Sequence, residues 1–186
     1  MNFIIVGSGA IGSYIGGRLA AAGEAVNLVA RPYQLDALTG VALRVTDLDG
    51  FAADVQSQQL HLAANFQTAY AQLAQEARAN VVVLLCVKGG STSSAAAEIA
   101  TCLNPSDAAG TVIISLQNGV ENVARIKAAA PLAQVLAGMV PYNVVMKTDA
   151  HVHRATAPPQ AKCNCKLAKN QTTLPHGLTP QALESA

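Results

Sequence analysis

Charged side chains are scarce in this chain of 186 residues: they make up 12% of the sequence, against 51% hydrophobic residues, and the formal net charge is +1. A charge so evenly balanced gives no attraction for a polyanion, and no basic stretch is long enough to follow a phosphate backbone. The composition therefore argues against nucleic-acid binding and against binding to an anionic membrane surface. It suits a sheet whose strands are buried on both faces.

No hydrophobic run has the length of a membrane span, because the longest apolar runs have the length of β-strands. The N-terminus also lacks the charged segment, followed by a cleavable apolar segment, that marks a secretory signal. We therefore expect a cytoplasmic protein with no membrane partner. The chain is long enough for one full domain and short for two.

Cysteines are few, and they form no pattern typical of a metal site. Cys86 and Cys102 lie within apolar segments, so we interpret them as buried thiols. Cys163 and Cys165 form a CxC pair with His176 farther along the chain, but this spacing matches no standard zinc motif. The sequence therefore predicts no metal site.

Histidines are scattered and form no catalytic constellation with serine or aspartate. His151 and His153 alternate within the string HVHRAT. This alternation indicates one face of an edge strand rather than a site.

Apolar, strand-like runs alternate with alanine-rich helical segments along most of the chain. The alternation is typical of βαβ units and predicts a doubly wound, mainly parallel α/β sheet of the Rossmann type. Two short runs, residues 41–46 and 51–55, flank an Asp-Gly turn signal and predict a hairpin or an irregular crossover. Strands of the main sheet are predicted at residues 3–6, 25–30, 81–87, 111–116 and 134–140. Helices are predicted at residues 10–22, 33–38, 66–77, 92–103 and 120–130.

The sequence changes in character near residue 157. Residues 1–157 carry the alternating pattern and are predicted to form one nucleotide-binding domain. Residues 158–186 have no long apolar stretch and are rich in proline, glutamine, threonine, asparagine and lysine. We expect them to form an irregular, poorly packed tail.

The string GSGAIG directly follows the first predicted strand and opens the first predicted helix. Gly7 permits a tight turn, Gly9 lets the backbone approach phosphates, and Gly12 lets the helix lie close to the sheet. The free N–H groups and the dipole of the helix N-terminus favour phosphate as well. A glycine-rich turn that binds nothing is the alternative. The context predicts a dinucleotide pyrophosphate loop made of Gly7, Ser8, Gly9, Ala10, Ile11 and Gly12.

No acidic residue stands at the end of the second predicted strand, where folds that bind NAD or FAD place one to accept hydrogen bonds from the ribose 2′-hydroxyl. Arg31 stands there instead. A guanidinium can pair with a 2′-phosphate, which a carboxylate would repel. Arg31 therefore favours NADP as the cofactor, with a solvated loop arginine as the alternative.

Two further polar residues, Lys88 and Asn118, follow predicted strands of the same sheet. Ligands of open parallel sheets gather at the carboxyl ends of the strands. Lys88 can hold a phosphate, a carboxylate or the ribose, and Asn118 can hydrogen-bond the nicotinamide ribose or a substrate oxygen. The alternatives are a solvated lysine and an Asn-Gly turn.

Five strings occur in order: GSGAIGSYIGGRL, LVAR, VVLLCVK, SLQNGVEN and GMVPYNVV. Together they resemble the N-terminal domain of the ketopantoate reductase (2-dehydropantoate 2-reductase) family over residues 1–157. The resemblance implies NADPH-dependent reduction of a 2-keto acid, ketopantoate, to pantoate on the route to pantothenate. It places the phosphate loop at residues 7–12 and the 2′-phosphate arginine at Arg31. It also implies cofactor-binding and supporting catalytic roles for Lys88 and Asn118, and a backbone contact near Val144.

The resemblance further implies hydride delivery from nicotinamide C4 to the C2 carbonyl, with a proton from a lysine of a helical C-terminal domain. Residues 158–186 are too few for such a domain, so we expect an incomplete enzyme produced by truncation or by a changed reading frame. The string KLAKN is similar to the family's helix opening with its catalytic lysine, which would make Lys166 the general acid. Pro175 and Pro180 would interrupt that helix, so we interpret the match as coincidence.

Three other interpretations stay open. The chain could be part of a related reductase that acts on another 2-keto acid. It could also be a non-catalytic NADP-binding module or pseudoenzyme. A third possibility is an unstable fragment with an exposed apolar interface. The sequence predicts no oligomeric state.

Overall fold

Two sheets and six α-helices make up the part of the chain that the structure, a computed structural model, describes: residues 1–117, 119 and 121–157. Short 3-10 turns lie at Gln75–Ala77 and Gly89–Ser91. The strands are β1 (Asn2–Val6), β2 (Ala25–Val29), β3 (Leu43–Asp47), β4 (Ala52–Val55), β5 (Leu60–Ala63), β6 (Val81–Leu85), β7 (Val112–Ser115), β8 (Gln134–Ala137), β9 (Val144–Thr148) and β10 (His151–Arg154). The helices are α1 (Ala10–Ala21), α2 (Pro32–Leu38), α3 (Phe66–Ala71), α4 (Thr92–Cys102), α5 (Pro105–Gly110) and α6 (Glu121–Ala129).

The larger sheet has six strands in the order β5-β2-β1-β6-β7-β8, and each of its pairings is parallel. This arrangement confirms the predicted Rossmann-type fold class. The chain leaves β1 toward β2 on one side and returns to β6 on the other. The strand order therefore reverses at β1, and such a switch point is where open α/β sheets bind ligands.

Side chains of the central strands alternate between two hydrophobic cores, one on each face of the larger sheet. Ile5 and Leu84 belong to the first core, which also contains residues of α1 and of the second sheet. Ile4 and Leu85 belong to the core formed with α3, α4 and α6. Burial on both faces explains why β1 and β6 appear in the sequence as unbroken apolar runs.

The second sheet has four strands in the order β4-β3-β10-β9 and lies against α1. Strands β3 and β4 pair antiparallel, so the predicted hairpin is confirmed. Helix α1 approaches this sheet closely, since a Cβ built on Gly17 would lie 2.4 Å from Cγ2 of Val45. The first helix is thus enclosed between two sheets.

The prediction of an edge strand at His151 and His153 is wrong in one respect. Their strand, β10, lies inside the second sheet, where it pairs parallel with β3 and antiparallel with β9. The two histidines do share a face, because both rings contact the hydroxyl of Thr46, at 3.0 and 2.9 Å. A four-residue strand carries no sequence signal that separates an edge from an interior position.

The sequence patterns predict neither β5 nor β9. Strand β5 is four residues long and contains the exposed His61, so it has little strand-like character of its own. The strand is held in the sheet by its parallel pairing with β2, and this long-range contact leaves no local pattern in the sequence. The predicted tail, residues 158–186, lies outside the described residues, as do Cys163, Cys165, His176 and Lys166. None of the helices described in residues 1–157 is both long and apolar enough to cross a membrane.

Candidate functional site

A cleft of about 520 Å³ lies at the carboxyl edge of the six-stranded sheet. Its walls come from the ends of four neighbouring strands, β5, β2, β1 and β6, and from the starts of α2 and α4. Its volume falls within the range of small-molecule sites, roughly 300–1,000 Å³. The structure brings five of the predicted site residues to this cleft: Gly7, Ser8, Gly9, Arg31 and Lys88.

The glycine loop, residues 7–12, makes close backbone contacts at Gly7 and Gly12 and is open at Gly9. Gly7 has φ +107°, and a Cβ there would lie 2.9 Å from the carbonyl carbon of Cys86. A Cβ on Gly12 would lie 1.9 Å from the carbonyl oxygen of Gly7, so a side chain has no room between loop and helix. A Cβ on Gly9, by contrast, would meet nothing within 4 Å, which leaves the backbone at this point open to a ligand.

The N-terminus of α1 begins at the same loop. Gly9 is the N-cap residue, no side chain caps the helix, and its first turn contains no acidic residue. First-turn N–H groups without a cap favour an anion such as phosphate. Ala10 is the first helical residue, while Ile11 packs against the first core and Gly12 is buried. These three residues therefore support the loop rather than line the cleft.

Two cations flank the glycine loop, one from each neighbouring strand. Arg31 follows β2 as the N-cap residue of α2, and Lys88 follows β6. Both side chains are exposed and line the cleft. Glu98 also lines the cleft, but two cations and a helix N-terminus outweigh its single carboxylate. The cleft therefore attracts a negatively charged ligand.

Ser8 is buried and its contacts are internal to the protein. Its hydroxyl donates to Oε1 of Gln34, and its carbonyl oxygen accepts from Nε2 of Gln34 at 2.6 Å and from Oγ of Ser13 at 2.9 Å. The side chain of Ser8 therefore fixes the loop, and it is the loop backbone that faces a ligand.

A polar network under the cleft joins the segments that follow β6 and β7. Nε2 of Gln117 donates to the Val87 carbonyl at 2.7 Å and to the Thr92 hydroxyl at 2.8 Å. The Thr92 hydroxyl also lies 3.1 Å from Oδ1 of Asn122. Asn118 itself lies outside the described residues, but this network fixes its neighbour, Gln117, beside the segment that carries Lys88.

Val144 lies apart from the cleft. It is the first residue of β9 in the second sheet, is half-buried, and packs against the first core. The described structure therefore does not bring its side chain to the cleft. Its predicted backbone contact with a cofactor remains a prediction.

Cys86 borders the cleft, directly behind Gly7. Burial raises the pKa of its thiol to about 12, so the sulfur stays protonated and is a poor nucleophile at neutral pH. Burial likewise raises the pKa of Cys102, and both side chains are partly buried. Residues 1–117, 119 and 121–157 contain no group of three or more histidine, cysteine or acidic side chains placed to hold a metal ion.

Several residues that line the cleft were not found from the sequence. A buried glutamine in the first turn of a helix gives no signal that distinguishes it from a solvated one. The serines near Lys88 do give a weak signal, because a run of small polar residues after a strand marks a ligand-facing loop. The residues in question are Gln34, Asn65, Ser91, Ser94 and Glu98.

Several solved structures are similar to this chain. The PanE/ApbA family ketopantoate reductase from Ralstonia eutropha JMP134 is 32% identical, with a TM-score of 0.68 over 83% of this chain and 46% of that one. The 2-dehydropantoate 2-reductase from Methylococcus capsulatus is 21% identical, with a TM-score of 0.65 over 83% and 45%. Octopine dehydrogenase is 16% identical, with a TM-score of 0.64 over 83% and 39%, and this likeness concerns the fold alone.

The chain spans about half the length of the ketopantoate reductases that it resembles. A comparison with curated proteins finds no match. The sequence does match the family described as ketopantoate reductase PanE/ApbA over residues 3–164. This match covers most of the chain, and it agrees with the parallel sheet, the glycine loop and the cleft at the switch point. The chain belongs to the ketopantoate reductase PanE/ApbA family.

Proposed function

We propose that this domain binds NADP(H) and serves as the cofactor-binding part of a 2-keto acid reductase, with ketopantoate as the substrate. The observation that carries the proposal is the placement of Arg31 and Lys88 on either side of the glycine loop, within one cleft. NADPH carries a pyrophosphate and a 2′-phosphate, and the cleft offers a helix N-terminus for the first and a guanidinium for the second.

Each part of the cleft has a separate task in this proposal. The backbone at Gly9 receives the pyrophosphate, because no side chain occupies the space in front of it. Arg31 pairs with the 2′-phosphate through its planar set of donors. Lys88 supplies a second positive charge, and Asn118 hydrogen-bonds the nicotinamide ribose or the substrate.

The chemistry that NADPH supplies when bound is a hydride for the carbonyl carbon of the keto acid. The developing alkoxide also needs a proton, and general acid catalysis of this kind contributes roughly 10²–10⁴-fold. We assign supporting roles to Lys88 and Asn118. Lys166 remains the alternative proton donor, and the sequence argues against it because Pro175 and Pro180 follow closely.

Nucleotide titrations test the cofactor assignment. We expect the wild-type chain to bind NADPH more tightly than NADH, measured by the fluorescence of the reduced nicotinamide or by calorimetry. Arg31→Ala should weaken NADPH binding about tenfold to a hundredfold, as loss of charge-assisted hydrogen bonds does, and leave NADH binding nearly unchanged. Arg44→Ala is the matched control, because Arg44 is exposed on the second sheet and pairs with Asp54. Tighter binding of NADH than of NADPH by the wild type would contradict the assignment.

An activity assay tests the reaction itself. With ketopantoate and NADPH, we expect slow turnover, because proton donation and substrate orientation are weakly supplied by the described cleft. Rapid turnover that Lys166→Ala abolishes would instead identify Lys166 as the general acid. Tight NADPH binding without turnover would identify a non-catalytic NADP-binding module.

A further inference from the structure

Gln34 is a buried polar residue in the first turn of α2, at the rim of the cleft. Its side chain is 2% exposed, although glutamine is ordinarily a surface residue. Burial of an amide is costly unless its donor and acceptor are both satisfied. Here both are used by one residue, since Oε1 accepts from the Ser8 hydroxyl and Nε2 donates to the Ser8 carbonyl oxygen at 2.6 Å.

Ser8 lies between Gly7, which makes the tight turn, and Gly9, where the backbone is open to a ligand. Glycines leave this segment with large backbone freedom, which binding would otherwise have to remove. The two hydrogen bonds between Ser8 and Gln34, together with the bond from the Ser13 hydroxyl to the Ser8 carbonyl, hold the loop in one conformation before a ligand arrives. Gln34 therefore pre-organises the loop.

The same residue is also tied to Arg31. The backbone N–H of Gln34 donates to the Arg31 carbonyl at 2.9 Å, and Arg31 is the N-cap residue of the helix in whose first turn Gln34 lies. Gln34 thus connects, through its side chain, the loop proposed to bind pyrophosphate and, through its backbone, the arginine proposed to bind the 2′-phosphate. Gln34 therefore fixes the position of Arg31 relative to the glycine loop.

We propose that Gln34 is a positioning residue that sets the distance between the two phosphate-binding sites and thereby contributes to the preference for NADPH over NADH. The inference rests on the proposed function, because it concerns the binding of NADP(H). The proposal predicts different effects of Gln34 on the two nucleotides. A residue that only supported the loop would affect both nucleotides equally, whereas one that also places Arg31 must affect NADPH more.

The variant Gln34→Met tests this difference, since methionine keeps the length of the side chain and removes both hydrogen bonds to Ser8. From the loss of two hydrogen bonds we expect the Kd of NADPH to rise about tenfold and that of NADH about threefold. The ratio of the two affinities should therefore fall about threefold. Equal losses for both nucleotides, or no loss, would overturn the proposal.

Thr39→Val is the matched control at the other end of α2. Thr39 is exposed, its hydroxyl donates to the Leu35 carbonyl at 2.7 Å, and it does not line the cleft. This variant should leave both nucleotide affinities unchanged. A shift of the NADPH to NADH ratio as large as that of Gln34→Met would show that the effect is not specific to Gln34, and would overturn the proposal.

Ser8→Ala provides a milder second variant if Gln34→Met does not fold. It removes the bond from the Ser8 hydroxyl and leaves the bond from Nε2 of Gln34 to the Ser8 carbonyl. We expect NADPH affinity to fall about threefold and NADH affinity to fall less, and equal losses for the two nucleotides would overturn the proposal. Where Gln34→Met folds, the double variant should lose no more NADPH affinity than Gln34→Met alone. Multiplied effects would show that Gln34 does not act through Ser8. A wild-type chain that binds neither nucleotide would instead refute the proposed function itself.

Discussion

The cleft edge of the six-stranded sheet and the face of the four-stranded sheet that meets α1 use charged residues in opposite ways. At the cleft, Arg31 and Lys88 are exposed and line the space that a ligand can enter. At the second sheet, Arg18 and Arg154 point inward and pair with Asp47. The difference separates exposed cations, which we propose bind a ligand, from inward-facing cations, which form ion pairs within the protein. Charge type alone, read from the sequence, does not tell the two apart.

Asp47 is the centre of the structural charge network. Its carboxylate lies 2.9 Å from Nη1 of Arg18 and 3.2 Å from Nη2 of Arg154, and it accepts the backbone N–H groups of Asp49 and Phe51 at 2.9 Å each. Burial by itself would raise the pKa of Asp47, but the backbone N–H groups of Phe51 and Asp49 and the guanidinium of Arg154 outweigh it and hold the pKa below its ordinary value. The network therefore stabilises the ionised carboxylate at the junction of β3, β10 and α1.

The largest effect that we expect comes from removing this central charge. Asp47→Asn removes the buried carboxylate that Arg18 and Arg154 share. Because Arg154 keeps its ion pair with Asp49, we expect the free energy of unfolding to fall by about 3 kcal/mol, the lower end of the loss for a broken buried ion pair. Urea denaturation measures this loss. Asp54→Asn is the control, because its pair with Arg44 is about half exposed and should contribute no more than about 1 kcal/mol. Equal losses of stability in the two variants would show that the buried ion pairs of Asp47 contribute no more than the exposed pair of Asp54.

A steric change at the same junction should have a smaller effect. In Gly17→Ala, the new methyl group would lie 2.4 Å from Cγ2 of the buried Val45, so β3 must move away from α1. Overpacking of this kind costs about 1–3 kcal/mol. We expect a lower thermal midpoint and an unchanged Kd for NADPH in the folded protein, measured by calorimetry. A matching loss of NADPH affinity would show that the second sheet and the cleft are not independent.

Gly9→Ala, at the cleft, should have the opposite pair of effects: unchanged stability and weaker NADPH binding. A methyl group on Gly9 meets no protein atom within 4 Å, so Gly9→Ala should change the free energy of unfolding by less than about 0.5 kcal/mol. It does occupy the space in front of the loop, and NADPH affinity should fall about tenfold. Thermal unfolding and nucleotide titration of the same sample check both halves. Unchanged NADPH affinity would show that the pyrophosphate does not approach the backbone at Gly9.

Acid should reduce the difference between wild type and Asp47→Asn. The pKa of Asp47 is lower in the folded state than its ordinary value of 3.8, so its stabilisation is present above about pH 4 and is lost as the pH falls through the folded-state pKa. The gap between the urea midpoints of the two proteins should therefore be smaller at pH 3 than at pH 7. A constant gap would mean that the charge of Asp47 is not the source of its effect.

The six-stranded sheet could be predicted largely from sequence, because its strongest signals are local. A strand buried on both faces, such as β6, is an unbroken apolar run, and the glycines of residues 7–12 follow β1 directly. The second sheet could be predicted only in part. The hairpin of β3 and β4 has a local turn signal, but its pairing with β10 depends on residues far away in the sequence.

The candidate site shows the same division. Arg31 and Lys88 were predicted because each follows a strand, and the parallel sheet brings such positions to one edge. Gln34 was not predicted, because its importance comes from a contact with Ser8 that only the folded chain creates. The ion pair of Asp47 and Arg154 was missed for the same physical reason, since neither residue has a local pattern that names its partner.

The pairing of β3 with β10 also affects the order in which the chain folds during synthesis. The ion pair between Asp47 and Arg154 joins residues 107 positions apart. Closing so long a loop is entropically costly, and such contacts form late. At a synthesis rate of about 5–20 residues per second, roughly 5–20 seconds pass between the emergence of β3 and that of β10. During this interval α1 lacks its contacts with β9 and β10, so part of its apolar face stays uncovered until the last strand has been synthesised.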